Sequence, residues 1–197
     1  MVRIAKFNED SFIDAAIEIA ANCGVPAVSI SAIASKAGAP VGSVYHRFES
    51  RDTILARAWL KVKAHFRHKV ASQWGDGDTW QAVSGFMGWC RDYPLYAQFL
   101  LQSENAPFLH DTVAPELHAQ LEAEQAALDA CFQQCMQKSG HELAHEQNES
   151  MLRYLLIDSP IAVVKPYLMQ NRPIPTTIDA MLRASHDAVR LWATPTR

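Results

Sequence analysis

Apolar residues recur along this chain at intervals of three and four, and strict alternation is nearly absent. Phe12, Ile13, Ala16, Ile17, Ala20 and Cys23 form one such stripe, as expected of an amphipathic helix with one buried face. Asn8 stands where an N-cap belongs, Glu9 and Asp10 suit the positive end of the helix dipole, and Gly24 can close the segment. Ser29 then reads as the cap of a short helix to about Ala37, ended by Gly38. A second short helix follows Pro40 and is predicted to reach about Phe48. From Arg51 a longer helix carries Ile54, Leu55, Ala58, Trp59, Val62, Phe66 and Val70 on one face and is predicted to run to Trp74. The run Trp74-Gly75-Asp76-Gly77 is the clearest break in the chain and the expected domain hinge.

Beyond the hinge the pattern predicts helices over about 78–92, 94–103, 114–139, 142–169 and 175–193. Pro160 should kink the fourth of these, because its ring removes a backbone bond and crowds the preceding turn. Ile178, Met181, Leu182, Ser185, Val189 and Trp192 form a narrow stripe on the last, the pattern of a helix–helix seam. No internal repeat is visible. The expected class is all-α, with a head over 1–50, a linking helix over about 51–74 and a helical body over 75–197.

Composition adds limits. A chain of 197 residues with 49% apolar and 20% charged residues buries enough surface to fold without a metal or disulfide. No apolar run approaches the length of a membrane span, and the start MVRIAKFNED lacks the apolar core of a signal peptide. Cys23, Cys90, Cys131 and Cys135 therefore read as reduced thiols in a cytoplasmic protein. Charge is divided unevenly: residues 1–70 hold ten Lys/Arg against six Asp/Glu, and residues 71–197 hold eight against fifteen. A basic head on an acidic body suggests that only the head meets a polyanion.

The stretch Ser29–Arg51, SISAIASKAGAPVGSVYHRFESR, concentrates the candidate chemistry. Two short helices around a tight Gly-containing turn have the shape of a helix-turn-helix. Ile33, Ala34 and Ala37 can pack on Val44 and Phe48. The outward positions of the second helix, Val41, Gly42, Ser43, Tyr45 and His46, are small or hydrogen-bonding. Such a face can sit against base edges in a major groove. Tyr45, Arg47 and Arg51 are expected to serve phosphates, and Ser29, Ser31 and Pro40 complete the candidate DNA-contacting set.

These residues resemble the DNA-binding signature of the TetR family of bacterial transcriptional regulators. The pattern is met by Ser29, Ile33-Ala34, Ala37-Gly38, Gly42-Ser43, Val44, Tyr45, Phe48 and Arg51. The turn reads Ala-Pro-Val where Val-Ser-Lys or similar is more usual, and Arg stands in place of the commoner Lys at 51. With the flanking helices the resemblance covers roughly residues 8–70. It implies a helix-turn-helix head that binds a double-stranded, palindromic operator. It also implies a cytoplasmic homodimeric repressor with a C-terminal domain for a small-molecule effector and dimerisation, with no cofactor and no catalysis. The effector pocket is expected among Phe86, Trp89, Cys90, Tyr93, Tyr96 and Phe99, a set that plain core packing explains equally well. The dimer seam is expected to combine Leu152, Leu155, Leu156 and Val163 with Ile178, Met181, Leu182, Ser185, Val189 and Trp192.

Two other readings compete. His141-Glu142-Leu143-Ala144-His145 matches the HExxH pattern, in which two histidines bind zinc and the glutamate is the general base of a hydrolase. Asn148 and Met151 stand where the extended pattern wants Gly and His, and no third ligand has a persuasive spacing. An all-α interaction module without DNA is the other alternative. Cys131 and Cys135, four apart on one helix face, read as small core residues rather than a thiol sensor. Lys61, Lys63, Arg67 and Lys69 read as a solvated face.

Overall fold

Asn8 Oδ1 accepts from the Ser11 N–H at 2.9 Å and starts α1 (Glu9–Cys23), the local cap that the sequence predicts. The structure, a computed structural model, describes residues 8–103, 113–139 and 145–193, except for the side chains of Ser139, His145 and Glu146. Within these residues every regular element is helical, and no strand occurs. The fold is all-α. The chain divides into two compact units, residues 1–64 with 95–124 and residues 65–94 with 125–197.

The first unit is built on α1, α2 (Ile30–Lys36), α3 (Val41–Tyr45) and α4 (Arg51–Lys69) as far as Ala64. It also takes in α6 (Pro94–Ser103) from Leu95 and the start of α7 (Pro115–Ser139). Ser29 caps α2 by accepting from the Ala32 N–H at 3.1 Å. α2 ends in a Schellman arrangement: the Gly38 N–H donates to the Ser35 carbonyl and the Ala39 N–H to the Ala34 carbonyl. Gly38 sits at φ +67°, where a Cβ would be strained. Phe12, Ile33, Val44, Phe48, Ile54 and Leu55 are fully buried together with Ala16 and Ala34. Phe12 and Phe48 meet edge to face, ring centroids 6.3 Å apart. α3 is shorter than expected, because Arg47 and Phe48 both bond back to the Val44 carbonyl and close it.

The second unit holds the end of α4, a 3-10 turn over Ala71–Asp76, and α5 (Thr79–Asp92). It continues through the last part of α7, α8 (His145–Arg153), a π turn over Tyr154–Asp158, α9 (Ser159–Leu168) and α10 (Thr177–Ala193). α4 stops at Lys69, not at Trp74. Val70 leaves the helical region at φ −121°, ψ −63°, and Val70, Ala71 and Trp74 are buried in the turn that follows. The expected hinge at Trp74–Gly77 thus lies inside this unit. Gly77 has φ +78°, and a Cβ there would come within 3.0 Å of Lys138 Cβ, so the close approach needs glycine.

The helix expected over 142–169 is divided. Pro160 has no N–H to donate one turn back, and the chain accommodates this by widening into the π turn immediately before it. α10 begins at Thr177 rather than 175, after a segment clamped by Arg91. That guanidinium donates to both Asp179 oxygens, at 2.6 and 3.0 Å, and to the carbonyls of Ile174 and Pro175.

Candidate nucleic-acid interface

Capping and packing determine which side chains of the head point outward. Val44 and Phe48 anchor α3 in the core, so Val41, Gly42, Tyr45 and His46 are exposed, with Ser43 half-buried at the edge. Val41 is 43% and Tyr45 63% exposed, large values for an aliphatic and an aromatic side chain on one short helix. Ser29 and Ser31 at the start of α2 and Pro40 just before α3 are exposed as well. Of the expected set, Val41, Gly42, Tyr45 and His46 share the side of α3 that buried Val44 leaves exposed.

The two arginines expected at phosphates are placed differently. Arg51 donates from Nε to the Val28 carbonyl at 2.5 Å, from Nη2 to the Val25 carbonyl at 2.6 Å and from Nη1 to Asp52 at 3.1 Å. Its guanidinium is a strap between the start of α4 and the segment joining α1 to α2. Arg47 donates from Nη1 to the Ser43 carbonyl at 2.9 Å, and its guanidinium carbon lies 5.8 Å from the centre of the Phe12 ring.

Much of the head's positive charge is also partnered. Arg57 pairs with Glu9 at 2.8 Å, Lys61 with Asp14 at 2.5 Å and Lys36 with Glu18. Burial alone would lower the Lys61 pKa, but the Asp14 hydrogen bond and charge, with Tyr96 and Asp10, outweigh it and raise it. The signal was available in the sequence: Asp10, Asp14 and Glu18 are spaced by four, so they form one acidic stripe on α1.

The aromatic residues expected at an effector pocket fall in both units. Phe86, Trp89, Cys90 and Tyr93 belong to the second, and Tyr96 and Phe99 to the first. Phe66 packs edge-on against Trp74, Phe86 and Trp89, with ring centroids 5.2–6.3 Å apart. Trp89 Nε1 donates to His65 Nδ1 at 3.0 Å, and the His65 ring stands 4.4 Å from that of Tyr93. Burial, then the charges of Lys69 and His68, lower the His65 pKa. His65 is a functional candidate that sequence reasoning missed, since a lone histidine on α4 carries no pattern of its own. Burial pushes the Cys90 thiol up to about 12 against a smaller opposing effect of Arg91, so it stays protonated at neutral pH.

Of the ten residues expected at a dimer seam, Leu152, Leu155, Leu156, Ile178 and Leu182 are buried within the chain itself. Val163, Ser185 and Val189 are half-buried. Met181 and Trp192 are 73% and 76% exposed, and neighbouring Leu191 is 77% exposed. The inner face of α10 also carries His186, whose Nε2 meets the buried Thr79 hydroxyl at 2.9 Å. His141 and Glu142 of the HExxH sequence lie outside the described residues, as does the side chain of His145.

Residues 12–58 match the pattern of the bacterial regulatory proteins, tetR family. No curated protein matches the chain. Among solved structures, the fold is similar to a tetR-family transcription regulator from Shewanella sp. PV-4, with TM-score 0.62, 19% identity, 98% of this chain and 100% of that chain covered. It is similar to the TetR-family regulator PfmR from Thermus thermophilus, with TM-score 0.65, 17% identity and coverage of 93% and 95%. It is similar also to the transcriptional regulator FadR from Bacillus subtilis, solved in complex with stearoyl-CoA, with TM-score 0.62, 16% identity and coverage of 92% and 97%. No helix among the described residues is long and apolar enough to cross a membrane.

Proposed function

We propose, from the premise that residues 12–58 belong to the tetR family of bacterial regulatory proteins, that the chain is a homodimeric repressor released from its operator by a small molecule. The observation that carries this reading is the exposed face of α3, Val41, Gly42, Tyr45 and His46, held outward by buried Val44 and Phe48. Tyr45 supplies a hydroxyl to phosphate, and Ser29 and Ser31 add hydroxyls at the start of α2.

Assembly follows from α10. Met181, Ala184, Ala188, Leu191 and Trp192 are all exposed and recur at spacings of three and four, a second stripe distinct from the buried Ile178–Leu182–His186 face. A second copy related by a two-fold axis would cover it; a two-fold pair of recognition helices calls for a palindromic operator. The supporting residues are therefore Met181 and Trp192 from the expected seam, with Leu191 added.

For the effector, the second unit offers a mostly apolar wall in which Trp89 and Tyr93 meet His65 and Phe66 joins Trp89 to Phe86. FadR was solved with stearoyl-CoA; a ligand with a large apolar part suits this wall as well. α4 is 19 residues long, about 28 Å at 1.5 Å per residue. His65 and Phe66 lie near its C-terminal end, so a ligand at the wall can bias the helix that starts at Arg51. A preference of about 1–3 kcal/mol for one state would change operator affinity about 5- to 150-fold.

Footprinting the DNA that flanks the coding sequence tests the reading. The expected result is a protected segment with dyad symmetry occupied by two chains. Protection without symmetry, by a single chain, would overturn the dimeric account.

A further inference from the structure

Gly42 is the second residue of α3, yet the fold does not require glycine there. It is not among the positive-φ glycines, and a Cβ added to it would meet nothing within 4 Å. Glycine weakens a helix relative to alanine, so packing within the chain gives no reason for the missing side chain. A surface that must come very close to the α3 backbone does.

The chemistry around Gly42 narrows what that surface presents. The segment Val41–His46 contains no Lys, Arg, Asn, Gln, Asp or Glu. The side chains that read guanine and adenine by paired hydrogen bonds, or cytosine by accepting one, are therefore missing from it. Arg47, next in sequence, donates to the Ser43 carbonyl and lies over Phe12. Instead the helix holds out an isopropyl group, Val41, at 43% exposure. The apolar feature of a base edge in the major groove is the 5-methyl of thymine.

We propose that Val41 reads thymine: its isopropyl group packs on the 5-methyl of one thymine in each half-site, and the bare Gly42 backbone lets α3 approach closely enough for that contact. The inference rests on the DNA-binding reading above and names the base chemistry of the same site. Tyr45 and His46, exposed on the same helix, remain available for phosphate and for a polar base edge.

The test selects binding sites for the full-length chain from a random duplex library, then replaces each thymine of the selected half-site in turn with deoxyuridine, which removes only the methyl group. At one position the substitution should weaken binding about fourfold, the effect of losing one buried methyl group. Val41→Ala should bind the thymine and deoxyuridine duplexes equally. Both components fold independently of the contact, since Val41 is a surface residue and deoxyuridine still pairs with adenine. If every thymine tolerates deoxyuridine, or if Val41→Ala stays sensitive to it, the inference is overturned while DNA binding stands. If the library yields no selected sequence, the DNA-binding reading falls with it.

Discussion

Arg51 Nε donates to the Val28 carbonyl at 2.5 Å, joining the first residue of α4 to the residue before the Ser29 cap. Val28 is 1% exposed, so its carbonyl has no access to bulk water and depends on the guanidinium. This relationship makes Arg51 part of the head's frame. Arg51→Ala should lower the stability of the chain by about 1–3 kcal/mol, as expected when a buried acceptor loses a charged donor. The slope of log affinity against log salt should stay within error of wild type. An unaltered melting temperature together with a slope reduced by about one would assign Arg51 to a phosphate instead.

Gly42 should show the opposite division between stability and binding. Gly42→Ala introduces a Cβ into open space and should stabilise the chain by up to about 1 kcal/mol. The same Cβ should weaken DNA binding at least tenfold on every sequence, because it holds the whole helix away from the groove. Thermal melts and mobility shifts on one preparation measure both. Tighter or unchanged DNA binding would show that nothing approaches the α3 backbone.

The two faces of α10 predict different outcomes for a single introduced charge. Met181→Glu or Trp192→Glu falls on the exposed stripe and should yield folded monomers by light scattering, with helical content unaltered. Leu182→Glu falls in the chain's own core, at 4% exposure, and should unfold the second unit through an unpaired buried charge. A folded monomer from Leu182→Glu, with dimers retained by Met181→Glu, would exchange the roles of the two faces.

His65 and His186 set the direction expected for the pH dependence of stability. Burial is the largest cause in both and lowers both pKa values, against the opposing pull of Asp187 on His186. The unfolded chain then binds more protons than the folded one, so stability is complete above the unfolded histidine pKa of about 6.5 and declines as pH falls through the window below it. Protonation at His65 Nδ1 would also remove the acceptor for Trp89 Nε1. Melts between pH 8 and 5 should show the decline, and His65→Leu should flatten it. A stability that rose on acidification would contradict the lowered values.

Capping made much of the fold legible, because a cap is a local event. Asn8, Ser29 and Asp78 each accept the N–H three residues on, and Gly38 takes the left-handed position that ends α2. What the pattern could not convey was tertiary. A stripe at spacings of three and four marks a face that something covers, and Leu182 and Met181 look alike until the chain itself is seen to cover the first. Val70 continues the apolar face of α4 by spacing, yet the core draws it out of the helix. The positive charge of Arg51 was plain, but the reach of its guanidinium toward Val25 and Val28 depends on how α4 lies against α1. The exposed face of α3 was legible too, since Val44 and Phe48, four apart, mark the buried side of a short helical segment.

The most direct test compares the affinity of the chain for its selected duplex with its affinity for an unrelated duplex of equal length at the same salt concentration. Sequence-specific regulators typically prefer their site by a factor of about 10³ or more. A ratio of that order, falling toward one in an α3 variant such as Tyr45→Ala with Val41→Ala, is the predicted result. A wild-type ratio near one would contradict the account at its centre.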